Sequence, residues 1–301
     1  MAEIKSLKDV IRSYAPPRGA QYLRRVLTHY RYWRQNRRSR AGFQKYGQQY
    51  SNNLLFVAGL PKSGTSWMES MLASYPGFHK TMIPEAVSYE LENGGTHDYE
   101  LPADLPTRFE DSLTVLKLHV PGSVHNTRVL EKGEISYLIM YRDLRDVAVS
   151  HVFYVQRTPW HPEHPEYTDL SVREGLHHFG NTLLPEFVEW IRSWDTNRDP
   201  EQSLIVRYED LLADTVATFR EVARLFELPD DADTIESIVE AHRFENLSGG
   251  RDRGDDAGDS FFRKGVSGDW KNHFTPELKS LYKKTAGEAL IDFGYEADLD
   301  W

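Results

Sequence analysis

There is no cysteine among the 301 residues. Disulfides, thiolate metal sites and a cysteine nucleophile are therefore excluded. No apolar run is long enough to cross a bilayer, and the opening MAEIKSLKDV lacks the hydrophobic stretch of a secretory leader. A soluble, cytoplasmic protein is the expectation. A further absence is local: no acidic residue occurs between Val10 and Met68, although the chain carries a formal charge of −10. A balance that acidic argues against general nucleic-acid binding.

Where acid is missing, arginine is abundant. Residues 21–40, QYLRRVLTHYRYWRQNRRSR, hold Arg24, Arg25, Arg31, Arg34, Arg37, Arg38 and Arg40. Leu23, Val26, Leu27, Tyr30 and Trp33 recur there at helical spacing, which predicts a basic helix packing an apolar stripe on the domain. The second reading of this helix is contact with an anionic membrane surface or an acidic partner. Residues 1–50 read as a helical extension, and 51–301 as the main domain.

Four short apolar runs read as buried strands: Leu54–Gly59, Leu113–Val120, Ile135–Tyr141 and Leu204–Tyr208. Helical patterns alternate with them at Thr65–Tyr75, Asp146–Val155, Val172–Trp194, Thr215–Phe226 and Thr234–His242. This alternation predicts one α/β domain with a central parallel sheet flanked by helices on both faces. The glycine-rich, charged stretch 247–260 reads as a mobile loop.

The segment LLFVAGLPKSGTSWMESML, residues 54–72, runs from strand through tight loop to helix. Gly59 and Gly64 have the separation of a Walker loop, but Thr65 stands at the lysine position and Lys62 lies inside the loop. Amides at a helix N-terminus favour an anion, and Thr65 and Ser66 add hydroxyl donors. The loop is thus a P-loop-type anion cradle whose cation approaches from another side. In VLKLHVP, residues 115–121, strand alternation puts Lys117 and His119 on one face, at the sheet end that carries sites in open parallel sheets. An imidazole there is suited to proton transfer near neutral pH. His161, His164, His177 and His178 lie near one another without a matching carboxylate pattern, so no metal site is expected.

Taken together, Gly59, Lys62, Gly64, Thr65, Ser66 and Trp67 are specific, and PKSGTSW resembles the PKSGT[TS]W signature of sulfotransferases that use 3′-phosphoadenosine 5′-phosphosulfate (PAPS). The resemblance implies that Lys62, Ser63, Gly64, Thr65 and Ser66 hold the 5′-phosphosulfate, with Lys62 stabilising the leaving oxygen and Trp67 near the adenine. VLKLHVP resembles the family's K-T-H-L-P stretch, which makes His119 the general base, with Lys117 helping to hold the transferring group or the acceptor and Glu85 as a fallback base. YRDLRDVAVSHVFY matches R-x-x-x-D-V-A-V-S, so Arg142 and Ser150 would clasp the 3′-phosphate. FFRKGVSGDWKNHF matches R-K-G-x-x-G-D-W-K-x-x-F, which adds Arg263, Lys264 and Gly265. The stretch before it then becomes a lid. RYEDLL places Tyr208 by the adenine, and AHRFENL places Phe244 there, with Arg243 where serine is usual.

The resemblance implies a metal-independent sulfotransferase that takes PAPS as donor, releases adenosine 3′,5′-bisphosphate and acts on the hydroxyl of a small-molecule or lipid acceptor. Tyr89, Phe153, Tyr154 and Trp160 are candidates for the acceptor pocket or for the core. The family's dimerisation segment is only half matched: Lys271 and Thr275 fit, but Pro276 and Ser280 replace valine and glutamate. Competing readings are a P-loop kinase using ATP, and a non-catalytic protein that binds PAPS or membranes.

Overall fold

The computed structural model describes residues 17–255 and 263–301, with side chains described from residue 27 onward. The opening segment, the end of the expected lid, Phe261 and Phe262, and the side chains of Leu23, Arg24, Arg25 and Val26 lie outside the described residues.

Five parallel strands form the sheet: β1 (Leu54–Gly59), β2 (His79–Thr81), β3 (Thr114–Leu118), β4 (Tyr137–Tyr141) and β5 (Ser203–Arg207). Their spatial order is β2-β3-β1-β4-β5. From β1 the chain runs to the edge strand β2, returns inward through β3 and then crosses β1 to β4 and β5, so a ligand crevice is expected beside β1, where the direction changes, at the carboxyl ends of the strands. Every residue of β1 and β4 is buried, as in strands covered on both faces. One face carries Phe56 and Ala58 of β1 against Val147, Phe187, Trp194 and Tyr282. The other carries Leu55 and Val57 against Met68, Met71, Phe219 and Ile235. This is the expected architecture, with helices packed on both sides of one parallel sheet.

Three expectations need correction. Strand β2 was not predicted, because its three residues, His-Lys-Thr, show no apolar run; pairing with β3 alone defines it. The predicted single helix over Val172–Trp194 is two, Val172–Asn181 and Leu183–Asn197. Pro185 explains the break, since it has no N–H to continue the ladder and is tolerated only in a first helical turn. The third concerns the Pro17–Tyr46 helix, which buries Thr28, Ser39 and Gly42 and leaves Tyr30 and Trp33 54% and 56% exposed. Among the described residues its packing face combines Thr28, Ser39 and Gly42 with Phe43 and Tyr46, and leaves out Tyr30 and Trp33. Close approach is the reason: a Cβ on Gly42 would sit 2.0 Å from the Gly77 carbonyl oxygen. Ser39 and Thr81 hydroxyls meet at 3.3 Å, and the Leu113 amide donates to the Ser39 carbonyl at 3.1 Å.

Candidate active site

Register at the sheet end decides which side chains meet. Ala58 of β1 pairs with Leu118 of β3, so Gly59 stands level with His119. Tyr141 of β4 pairs with Arg207 of β5, so Arg142 stands level with Tyr208. These residues open on one cavity of about 570 Å³. Its wall includes Lys62, Gly64, Thr65, Ser66, Trp67, Lys117, His119, Arg142, Ser150, Tyr208, Phe244, Arg263, Lys264 and Gly265. Three segments distant in sequence thus converge, as expected. Ser63 is the exception: it is fully buried, outside the cavity wall, and its Oγ has no hydrogen-bond partner among the described residues.

The loop after β1 is held in an unusual conformation. Gly64 has φ 79° and precedes the Thr65–Leu72 helix, whose first amide bonds return from Trp67 and Met68 to the Gly64 carbonyl. A Cβ at Gly64 would lie 2.8 Å from the Tyr208 ring, so only glycine fits. Lys62 also has positive φ, 66°, which is costly for a side-chain-bearing residue and typical of functional loops. The turn sends its Nζ over the Tyr154 ring at 3.8 Å. Burial, then the charges of Arg157, Lys117, Arg142 and Arg263, lower the Lys62 pKa to about 7. Eight lysines and arginines but only two glutamates line this cavity, in a protein of net charge −10. Focused positive charge of that kind selects an anion.

His119 is half-buried beside Lys117, whose Nζ donates to Ser66 Oγ at 3.3 Å. The His119 Nδ1 hydrogen-bonds the Gly59 carbonyl. A carbonyl can only accept, so Nδ1 carries the proton and Nε2 keeps its lone pair. Burial, then Lys117 and His97, push its pKa well below the ordinary imidazole value. The ring is therefore a neutral base near pH 7.

The second anion corner is pre-assembled by two aspartates. Asp146 is fully buried and accepts from Arg142 Nη2 at 3.1 Å, from the Gly268 amide at 2.7 Å and from the Trp270 amide at 2.9 Å. Arg142 also donates to the Val266 carbonyl at 2.8 Å and lies 4.3 Å over the Tyr208 ring. Asp269 binds Arg263, and Lys264 at 2.8 Å. Burial opposes ionisation of Asp269, but hydrogen bonds from Lys264, Arg263 and Asn272 hold its carboxyl well below the usual range. Phe244 packs against Gly265, where a Cβ would come within 2.5 Å of its ring and φ is 66°. Asp146 and Asp269 fall inside the motifs R-x-x-x-D-V-A-V-S and R-K-G-x-x-G-D-W-K, but the sequence assigns neither a binding partner, because their contacts are to distant segments or to side chains brought together by the fold.

The rest of the cavity is lined by Met82, Val87, Val120 and Trp160, with Glu90, His97 and Gln35 among them. Phe153 and Tyr154 line it too, under Arg263 at 4.6 Å and Lys62 at 3.8 Å. Tyr89 and the fallback base Glu85 lie outside its wall, with Glu85 3.3 Å from Arg108. His97 was missed. Its Nδ1 meets Glu186 at 3.2 Å and its ring stands edge-on to His119 at 6.0 Å. His151 and Glu163, 2.8 Å apart and buried, tie the cavity wall to the 156–170 segment; burial favours the uncharged form of each. Among the described residues no group of three or more His, Asp or Glu is arranged to hold a metal.

A parallel α/β sheet that ends in a glycine loop, a ring of cations and the neutral His119 imidazole defines a nucleotide-dependent transferase site. The family comparison agrees. A sulfotransferase domain model matches residues 53–294, and the chain belongs to that family. It is 25% identical to flavonol 3-sulfotransferase of Flaveria bidentis, over 94% of this chain and 97% of that one. It is 24% identical to sulfotransferase 2A2 of Rattus norvegicus, over 79% and 85%. The fold resembles mouse sulfotransferase SULT7A1 complexed with PAP (TM-score 0.58, 17% identity, 86% and 95% covered). It also resembles retinol dehydratase in complex with androsterone and PAP (0.57, 18%, 84% and 86%).

Proposed function

We propose that His119 and Lys62 are the catalytic pair of this sulfotransferase. The chain transfers a sulfuryl group from PAPS to a hydroxyl and leaves adenosine 3′,5′-bisphosphate. In our reading His119 Nε2 takes the acceptor proton as the acceptor oxygen bonds to sulfur and the sulfur–oxygen bond to the nucleotide breaks. Lys62 Nζ and the first-turn amides stabilise negative charge on the departing oxygen, with Lys117 and Ser66 beside them. Arg142, Ser150, Arg263 and Lys264 hold the 3′-phosphate; Trp67, Tyr208 and Phe244 surround the base. The guanidiniums suit that phosphate because they donate in a planar fork.

The observation that carries this reading is the Gly59 carbonyl, which fixes the His119 tautomer in the cavity that Lys62 enters. The half lined by Met82, Val87 and Trp160 favours a small, largely apolar hydroxyl compound as acceptor. The test is sulfate transfer from radiolabelled donor to a panel of phenols, sterols and lipid alcohols. His119→Ala is expected to lower kcat about 10³-fold, and Lys62→Ala about 10²-fold, while both still bind adenosine 3′,5′-bisphosphate. Near-normal turnover in either variant removes its assigned role. Tighter calorimetric binding of ATP than of adenosine 3′,5′-bisphosphate overturns the donor assignment.

A further inference from the structure

The Pro17–Tyr46 helix turns two large aromatic side chains into solvent, Tyr30 and Trp33, stacked with ring centroids 6.3 Å apart. Arginines flank both rings: Arg34 lies 5.9 Å from the Tyr30 centroid and Arg37 5.8 Å from that of Trp33. Arg31, Arg34, Arg37 and Arg38 are all exposed. No acidic residue occurs anywhere on this helix. The opposite face is anchored: Ser39 and Gly42 pack on the sheet edge, and Gln35 reaches the wall of the catalytic cavity.

We propose that this face docks on an anionic lipid bilayer. Trp and Tyr favour the headgroup level, where an apolar ring and a polar tip are both satisfied. Arginine pairs with lipid phosphate through its planar fork. A stripe of this kind on a convex helix lies in the plane of the interface. A rigid protein partner would need a matching surface of about 800 Å² from each side. A soft surface of repeated phosphates has no such requirement. Docking places the cavity, through Gln35, on the helix that meets the lipid, so acceptors that partition into membranes are brought close. This inference does not depend on the catalytic roles given to His119 and Lys62.

The experiment is sedimentation of the full chain with phosphatidylcholine vesicles, alone or containing about one-third phosphatidylserine. Binding is expected only to the anionic vesicles and falls with added salt. The double variant R34Q/R37Q is expected to lose about 25-fold in partitioning, roughly five-fold per arginine, and Trp33→Ala is expected to lose affinity at every salt concentration. All three substitutions are exposed, so melting curves and turnover of a water-soluble acceptor should be unchanged. Equal binding to both vesicle types, or undiminished binding by R34Q/R37Q, overturns the proposal. So does a finding that R34Q/R37Q abolishes a dimer of the chain, or oligonucleotide binding, without altering vesicle binding.

Discussion

The proposed donor half and the proposed acceptor half of the cavity are built differently. The donor half stands on the ends of β1, β4 and β5 and on the 263–270 segment, and backbone groups take part in fixing it. The Gly64 turn, the Asp146 bonds to two amides and the Gly265–Phe244 contact leave little room for substitution. The acceptor half consists of side chains from the 82–99 and 153–161 stretches and from the N-terminal helix, which meet only through tertiary packing. An invariant ligand calls for a backbone frame, whereas a variable one is met by side chains on loops.

The sharpest test of this contrast is Asp146→Ala. It leaves Arg142 buried without its carboxylate and strips a partner from the Gly268 and Trp270 amides. Unfolding free energy in urea is expected to fall by about 3 kcal/mol or more, with donor affinity falling as well. If stability and donor affinity both survive, the donor half is not held together as described.

A second effect is pH-dependent. The Lys62 pKa is lowered to about 7 in the cationic cavity, and a bound anion draws it back toward its ordinary value. Above pH 7 the free protein therefore has a neutral Lys62 that must take up a proton on binding, so affinity weakens as pH rises. The limiting slope is about ten-fold per pH unit. Calorimetry with adenosine 3′,5′-bisphosphate in buffers of different ionisation enthalpy should show this proton uptake, and Lys62→Met should abolish it.

The smallest effect belongs to the other half. Trp160→Ala is expected to raise acceptor KM about five-fold with donor KM unchanged. A matching rise in donor KM would blur the division between the halves.

That division also sets what the sequence reveals. PKSGTSW, the Arg142–Ser150 spacing and the Arg263–Gly265 turn are each contiguous, so their chemistry can be read without coordinates. Lys117 and His119, expected on one face, both line the cavity, but so do Leu118 and Val120, because β3 ends at Leu118 and strict alternation ends with it. His97 escapes such reading because Glu186, its partner, is 89 residues away in the chain. Tyr30 and Trp33 escape it for a related reason: hydrophobic spacing identifies an apolar face but not whether a partner surface lies beneath it. Here close backbone approach at Gly42 turns both rings away from the domain.

The Asp146 carboxylate has one more consequence. Its bonds to Arg142, Gly268 and Trp270 join the end of a central strand to a segment more than 120 residues later. Arg145 adds to the join, sandwiched between Trp270 and Trp301 at 4.0 and 4.3 Å. The 266–270 segment therefore cannot detach without exposing a buried charge just past the carboxyl end of β4. The anion site and the carboxyl-terminal segment are expected to open together, which matching hydrogen-exchange protection of the Gly268 and Trp270 amides and of the β4 end would show.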